Sequence, residues 1–101
     1  KHQIAFGGGR KAREEHHAPA AQIGFEQVRR ALEGRDKRSL SKLEQLQLRN
    51  SSFYLGDCAY ELKDYDAAIH HYDAARERYP EDPASLVAMV QIVNAYVEQG
   101  D

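Results

Sequence analysis

Apolar residues recur at helical spacing along most of the chain, beginning with the segment that precedes Gly34. In this segment, the apolar positions lie three or four residues apart: Ala21, Phe25, Val28 and Leu32. Such spacing places side chains on one face of an α-helix, and the glycine ends the pattern. We therefore predict a helix over residues 21–33.

The next helix carries a start signal and two apolar faces. Ser41 is followed three residues later by Glu44, and together they form a capping-box signature. From there to about Leu62, two series of apolar residues run seven positions apart: Leu46, Phe53 and Tyr60 in one, and Leu48, Leu55 and Leu62 in the other. Because the two series lie on different faces, neighbours must cover the helix on both sides, as stacking in a helical solenoid provides.

Two further helices are predicted from their capping residues. Asp64 is a good N-cap for a helix that Pro80 ends, since proline disfavours helical geometry in the residue before it. Asp82 and Pro83 supply an N-cap and a first-turn proline for a helix that reaches about Gln99. The last helix is unusually apolar, so we expect its surface to be covered by further chain or to pair with another copy.

These elements predict an all-α protein built from antiparallel helix pairs. We expect residues 1–20 to be poorly defined, with a short helix near residues 10–17, and the helical region to span residues 21–101. The chain begins with a lysine rather than a methionine and stops before another helix would begin. We therefore expect it to be part of a longer polypeptide.

The helices predicted to follow Ser41 and Asp64 also carry a specific spacing of small, aromatic and turn residues: Leu55, Gly56, Ala59, Tyr65, Ala68, Tyr72, Ala75 and Pro80. This spacing resembles the tetratricopeptide repeat, whose pattern is W-x₂-L-G-x₂-Y, then A-x₃-F, then P. The resemblance implies an α-solenoid in which helices approach closely at the small residues. It covers a complete repeat at about residues 49–82, a partial repeat at 83–101, and an earlier half-repeat at 21–34.

The sequence departs from the family pattern at three positions. Ser52 stands where the family often has tryptophan, Ala59 where it often has tyrosine, and Lys63 in place of the usual turn glycine. The corresponding positions Leu55 and Ile92 lie 37 residues apart rather than 34. The Tyr79–Pro80 pair and this longer period resemble a bacterial subgroup that includes periplasmic TolA-binding proteins and outer-membrane assembly lipoproteins. The bacterial periplasm and the cytoplasm are both open as the compartment.

The resemblance implies a ligand groove lined by the first helix of each pair. The matching positions are Asn50, Phe53, Asp57, Tyr60 and Glu61, followed by Val90, Asn94, Val97 and Glu98. An apolar floor with carboxylates beside it suits an extended or helical peptide that carries apolar anchors and a positive charge. The alternative interpretation is that Phe53, Tyr60 and Val90 belong to the packed core.

Composition narrows the classes of partner. The net charge of −2 gives no overall attraction to nucleic acid, and the basic residues between Arg29 and Arg38 are interrupted by Glu33 and Asp36. No apolar run approaches the roughly 20 residues that a membrane span needs. We therefore predict neither a nucleic-acid partner nor a membrane span.

The histidines and the single cysteine give little sign of catalytic or metal chemistry. Adjacent residues on a helix point about 100° apart, so neither His16–His17 nor His70–His71 can chelate as a pair. We expect the second pair to be solvated and Cys58 to be a small buried residue. No acidic or histidine partner is placed to activate the thiol. We predict no catalytic, metal or cofactor site, and a chain that is not an enzyme.

The sequence thus predicts a protein–protein interaction scaffold that presents a concave helical surface to a peptide or a partner helix. An alternative is structural self-association, in which the terminal apolar helix builds a homo-oligomer. Concentration-dependent mass in solution separates the two.

Overall fold

The computed structural model describes residues 19–100, and this part of the chain consists of helices and turns without a strand. The four α-helices are α1 (residues 19–33), α2 (Lys42–Glu61), α3 (Tyr65–Arg78) and α4 (Pro83–Glu98), and a short 3-10 helix, Lys37–Ser39, precedes α2. The all-α prediction is confirmed. The helix predicted near residues 10–17 lies outside the described residues.

The predicted capping residues begin three of the helices. The Ser41 hydroxyl accepts a hydrogen bond of 3.0 Å from the Glu44 amide, and a Glu44 carboxylate oxygen accepts one of 3.0 Å from the Ser41 amide. This reciprocal pair is the predicted capping box. Asp64 and Asp82 accept from backbone amides in the first turns of α3 and α4. These caps satisfy amides that have no partner within the helix.

A tight turn at Lys63 makes α2 and α3 antiparallel neighbours. Lys63 adopts a φ of 65°, the left-handed conformation for which the repeat usually has glycine. Close packing follows at Gly56, where an added β-carbon would lie 2.5 Å from the Tyr72 ring. Ala68 and Ala75 of α3 are fully enclosed as well. The small residues therefore act as the resemblance implied, because they let the two helices approach.

Two hydrophobic clusters lie on opposite sides of α2. One joins Leu48 to Leu32 and Leu40 and so fixes α1 and the connector to α2. The other contains Phe53 and Tyr72, together with alanines of α2, α3 and α4. The prediction that α2 is covered on two faces is confirmed for its middle turns.

The ends of the two apolar series on α2 differ from the prediction. Leu46 is 53% exposed and Leu62 is 39% exposed. Leu62 lies beyond the last helical residue, at the turn into α3, and Leu46 lies in the first half of α2 beside an open cleft. Both positions therefore lack a neighbouring helix to cover them.

The inward faces of α2 and α4 carry buried residues at the same intervals along each helix. On α2 the buried positions include Leu48, Ser51, Leu55 and Cys58. On α4 the inward positions lie 37 residues later: Ser85, Ala88, Ile92 and Ala95. Since α4 packs on α3 through this face, its opposite face is left open to solvent. The exposed face bears the large apolar residues of the last helix.

Candidate interaction groove

A shallow groove of about 150 Å³ lies where α2 and α4 face each other across α3. Its lining comes from all three helices: Arg49, Phe53, Tyr54 and Asp57 of α2, Tyr72 of α3, and Ala84, Val87 and Ala88 of α4. The small alanines of α4 keep the groove open, while Val87 is 64% exposed at its edge. The arrangement offers an apolar surface with a carboxylate beside it.

Phe53 forms the floor of the groove. Its side chain is buried, and the Tyr79 ring packs beside it with 6.0 Å between the ring centroids. The Arg49 guanidinium lies 5.1 Å from the centre of the Phe53 ring, within the range of a cation–π contact. The floor is therefore held from two sides by side chains of the chain itself.

Arg49 also closes one end of the groove through an ion pair with Asp82. Its Nε and Nη2 atoms donate hydrogen bonds of 2.8 and 2.7 Å to the two oxygens of the Asp82 carboxylate. The Asp82 carboxylate additionally accepts a bond of 2.9 Å from the Ala84 amide. The Arg49 bonds and the helix-cap bond lower the pKa of Asp82 to about 2. The carboxylate is thus ionised at neutral pH, and it ties α2 to the start of α4.

Asp57 and Tyr72 form the polar wall of the groove. The Tyr72 hydroxyl donates a hydrogen bond to an oxygen of the Asp57 carboxylate. Asp57 is exposed as a whole, but partial burial of its carboxylate beside Tyr72 raises its pKa above the ordinary value, and the bond to Tyr72 partly opposes this rise. Burial raises the pKa of Tyr72 too, with the neighbouring Asp57 adding to the effect. Tyr72 therefore stays protonated and fixes the direction of the Asp57 carboxylate.

The structure places the predicted positions of α2 in different environments. Phe53 and Asp57 line the groove, while Asn50 is half-buried and its side-chain oxygen accepts a bond of 2.7 Å from Arg49. Tyr60 is half-buried and packs edge-on against Tyr65, with ring centroids 5.3 Å apart. Glu61, the last residue of α2, is exposed. Phe53 contributes a supporting floor more than contact surface, because only 5% of it is exposed.

The predicted positions on α4 lie outside the groove lining, on the exposed side of the helix. Val90 and Val97 are exposed at 59% and 67%. Asn94 is exposed, and its amide donates a bond of 2.9 Å to the Gln91 side-chain oxygen. Glu98 is exposed at the end of the helix. These residues extend the surface of α4 but do not meet the α2 positions in one pocket.

Sequence reasoning missed Arg49, Val87 and the polar role of Tyr72. The partner of Arg49 lies 33 residues away, so no local pattern indicates the ion pair. Tyr72 occupies an aromatic position of the repeat, and that position predicts a filler of the core rather than a hydrogen-bond donor. Val87 differs from its neighbouring valines only in its direction on α4.

His71 corrects the expectation that both residues of the second histidine pair are solvated. His70 is exposed, but His71 is half-buried where α1 packs near α3, beside Glu26 and Arg30. Burial lowers the pKa of His71, and the nearby Glu26 carboxylate partly opposes this. The side chain was expected on an open face because the position of α1 could not be read from the sequence.

The remaining features to consider are the cysteine, a metal site and a membrane span. Cys58 is buried, as expected, and burial raises the pKa of its thiol. Residues 19–100 contain no group of three or more side chains placed to hold a metal ion. Within the same range, no helix combines the length and the apolar character of a membrane span.

Comparison with known proteins identifies the repeat. Residues 50–82 match the family model of the tetratricopeptide repeat. This range runs from the middle of α2 through α3 to the N-cap of α4. The chain therefore contains a tetratricopeptide repeat, a unit that generally mediates protein–protein interaction. No solved structure matches the chain.

Proposed function

We propose that the chain is a non-enzymatic interaction module that binds a peptide or a partner helix on the concave surface shared by α2 and α4. The observation that carries this proposal is the groove between these helices, which has an apolar floor at Phe53 and an exposed valine, Val87, at its edge. A surface with a rigid apolar centre and polar surroundings is the usual form of a protein-binding site.

Charge favours a partner that carries lysine or arginine beside its apolar residues. The Arg49 guanidinium in the groove is neutralised by Asp82, so it presents little net positive charge to a partner. Asp57 remains in the polar wall, and Glu61 and Glu98 are exposed nearby at the ends of their helices. Opposite charges on the two partners would direct their encounter and the orientation of the bound segment.

Preorganisation is the mechanism of such binding. Phe53 is held by Arg49 and Tyr79, and the Asp57 carboxylate is held by Tyr72. Little of the scaffold would have to become ordered when a partner arrives, so the partner loses most of the conformational freedom. The exposed valines Val90 and Val97, with Asn94 between them, would extend the contact along α4.

The proposal leaves the compartment open between the bacterial periplasm and the cytoplasm. The resemblance to the periplasmic and outer-membrane assembly subgroup rests on the Tyr79–Pro80 pair and the 37-residue period of Leu55 and Ile92, and it stays a prediction.

Affinity capture from a lysate of the source cells tests the groove. The wild-type chain is compared with an Asp57→Lys, Glu61→Lys, Asn94→Ala variant. The matched control, Asp73→Lys, Glu77→Lys, Gln47→Ala, makes the same changes of charge and amide at exposed positions outside the groove. Circular dichroism establishes that all three chains fold alike. We expect the wild-type chain and the control variant to capture a protein that the groove variant does not capture. Equal capture of that protein by all three chains would refute the proposal.

A second candidate function is self-association through α4. It is favoured by a set of large apolar side chains, each 43–68% exposed, on the face of α4 that turns away from α3: Leu86, Val87, Met89, Val90, Val93, Tyr96 and Val97. Analytical ultracentrifugation over a range of concentrations tests this candidate. A mass that rises with concentration and returns to the monomer in Val93→Glu, but not in Ile23→Glu on α1, would support it. A monomer at all concentrations would eliminate it.

A further inference from the structure

A second concave surface lies at the edge of the helix stack and is separated from the groove by Arg49. It is a cleft of about 490 Å³ lined by the connector before α2, the first half of α2, the end of α3 and the start of α4. We call it the edge cleft, and its lining residues are Lys37, Leu40, Lys42, Gln45, Leu46, Leu48, Arg49, Arg78, Tyr79 and Asp82. The Arg49–Asp82 ion pair belongs to this lining, and Arg49 also lines the groove, so the pair lies between the two surfaces.

The edge cleft is positively charged in a chain whose net charge is −2. Its lining has four basic side chains against the single carboxylate of Asp82, which leaves a net charge of +3. Both oxygens of that carboxylate are taken by Arg49. Among residues 19–100, no carboxylate forms an ion pair with Lys37, Lys42 or Arg78. Three cations from three different elements therefore face one concavity, and none of them is paired with a carboxylate of residues 19–100.

The floor of the edge cleft is apolar. Leu40 and Leu48 are buried beneath it, and Leu46 stands in its wall with 53% of its surface exposed. An exposed leucine beside a preformed apolar floor can be covered by an aliphatic side chain of a partner. A free inorganic anion would gain nothing from these leucines, so the cleft fits a ligand that joins apolar groups to negative charge.

We propose that the edge cleft binds an acidic peptide segment in which a leucine or another aliphatic residue is flanked by carboxylates. The aliphatic side chain lies against Leu46 and the floor, and the carboxylates meet Lys37, Lys42 and Arg78. This partner differs from that of the groove, where the exposed charges are acidic. The two surfaces thus select segments of opposite charge.

Nucleic acid fits the edge cleft less well than an acidic peptide. Single-stranded nucleic acid is held by aromatic side chains on which bases stack, together with a track of cations along the backbone. The one aromatic residue in the lining, Tyr79, is half-buried and packs against Phe53. The lining also contains three leucines, which a nucleic-acid backbone would leave uncovered.

Fluorescence polarisation with a labelled decapeptide tests this inference on the full 101-residue chain. The probe has two leucines among glutamates; one comparison peptide replaces the leucines by alanine, and an oligonucleotide of equal charge serves as a competitor. The protein variants are Lys42→Glu and the charge-matched control Lys63→Glu at the opposite end of α2. An acidic residue in the first turn suits the helix N-terminus, so Lys42→Glu is expected to fold.

We expect Lys42→Glu to weaken binding of the decapeptide by at least about tenfold and Lys63→Glu by less than about twofold, since only the first charge lies in the cleft. The alanine peptide binds less tightly than the leucine peptide. In NMR spectra, the decapeptide shifts amides of residues 37–49 and 78–82 rather than those around Val87 and Asn94. Lys42→Gln, which adds no negative charge, repeats the loss to a smaller extent.

Three outcomes would overturn the assignment. Equal weakening by Lys42→Glu and Lys63→Glu would show that attraction to the whole surface, and not the cleft, holds the peptide. Equal affinity for the leucine and alanine peptides would show that the leucines of the peptide do not bind the apolar floor of the cleft. Tighter binding of the oligonucleotide, with the same loss in Lys42→Glu, would make the edge cleft a nucleic-acid site.

Discussion

Arg49 and Asp82 lie 33 residues apart in the sequence and are joined by two hydrogen bonds of 2.8 and 2.7 Å. Asp82 also caps α4 through the Ala84 amide. One carboxylate therefore begins α4 and fixes it to the middle of α2. Because the groove lies between these two helices, this pair sets its width at one end, and the groove depends on a contact that bridges the length of one repeat.

Replacing Asp82 separates its two roles. Asp82→Ala removes both the cap and the ion pair, and we expect it to lower the free energy of unfolding by about 1–3 kcal/mol. Asp82→Asn keeps a capping oxygen but removes the charge, so its effect should be smaller, about 1 kcal/mol or less. Urea unfolding followed by circular dichroism measures both. Equal losses in the two variants would show that the ion pair, and not the cap, carries the whole effect.

The ion pair also predicts a pH dependence. The pKa of Asp82 is about 2 in the folded chain because Arg49 and the helix-cap bond stabilise the ionised carboxylate, whereas the pKa of an unfolded aspartate is about 3.9. The folded-state pKa is the lower one, so the stabilisation is present above about pH 4 and is lost as the pH falls towards about 2. NMR titration of the Asp82 carboxyl carbon should give a midpoint near 2, and Arg49→Gln should raise it. A midpoint unchanged by Arg49→Gln would contradict this explanation.

Adding a side chain at Gly56 is predicted to destabilise the chain. Its added β-carbon would lie 2.5 Å from ring atoms of Tyr72, which is only 2% exposed. We expect Gly56→Ala to destabilise the chain by about 1–3 kcal/mol through overpacking. The control is Gly24→Ala, since Gly24 lies in α1 with nothing within 4 Å of an added β-carbon. There the better helix propensity of alanine should stabilise by about 0.5–1 kcal/mol.

Asp57 should show the opposite pH behaviour from Asp82. Partial burial of its carboxylate raises the pKa of Asp57 in the folded chain, so ionisation at neutral pH opposes folding to a small extent. Asp57→Asn keeps an oxygen that can accept from Tyr72 and removes the charge. We therefore expect a small rise in Tm at pH 7 that disappears as the pH falls below about 4, where the wild-type carboxyl is protonated in both states. A lower Tm for Asp57→Asn at pH 7 would mean that the charged bond to Tyr72 outweighs the burial.

Local signals made much of the fold predictable. The capping box of Ser41 and Glu44 needs only four consecutive residues, and the N-caps Asp64 and Asp82 act within the first turn of their helices. The small residue Gly56 was recognisable because the repeat requires it at a fixed distance from its neighbours. Such features depend on a short stretch of chain, so they can be recognised in the sequence without knowing how the helices pack.

The candidate site was less predictable because it depends on how the helices meet. Position in the repeat predicted Phe53 and Asp57 for the groove, and both line the cleft between α2 and α4, yet the sequence gave no sign that Phe53 would be buried by Tyr79 and Arg49. The burial of His71 depends on where α1 packs against α3, and the spacing of residues within α1 does not determine this position. Contacts between distant residues require the angles between helices, and periodicity within one helix does not supply them.

Photo-crosslinking from the edge of the groove tests the central claim most directly. A photoreactive phenylalanine derivative replaces Val87, which lines the groove and is 64% exposed, and in a second chain it replaces the exposed Glu77 of α3 outside the groove. Both chains are irradiated in a lysate of the source cells, and the adducts are identified by mass spectrometry. We predict an adduct with a segment of another protein, one carrying aliphatic and basic residues, at position 87 and not at position 77. Equal labelling at both positions, or adducts only between copies of this chain, would contradict a partner-binding groove between α2 and α4.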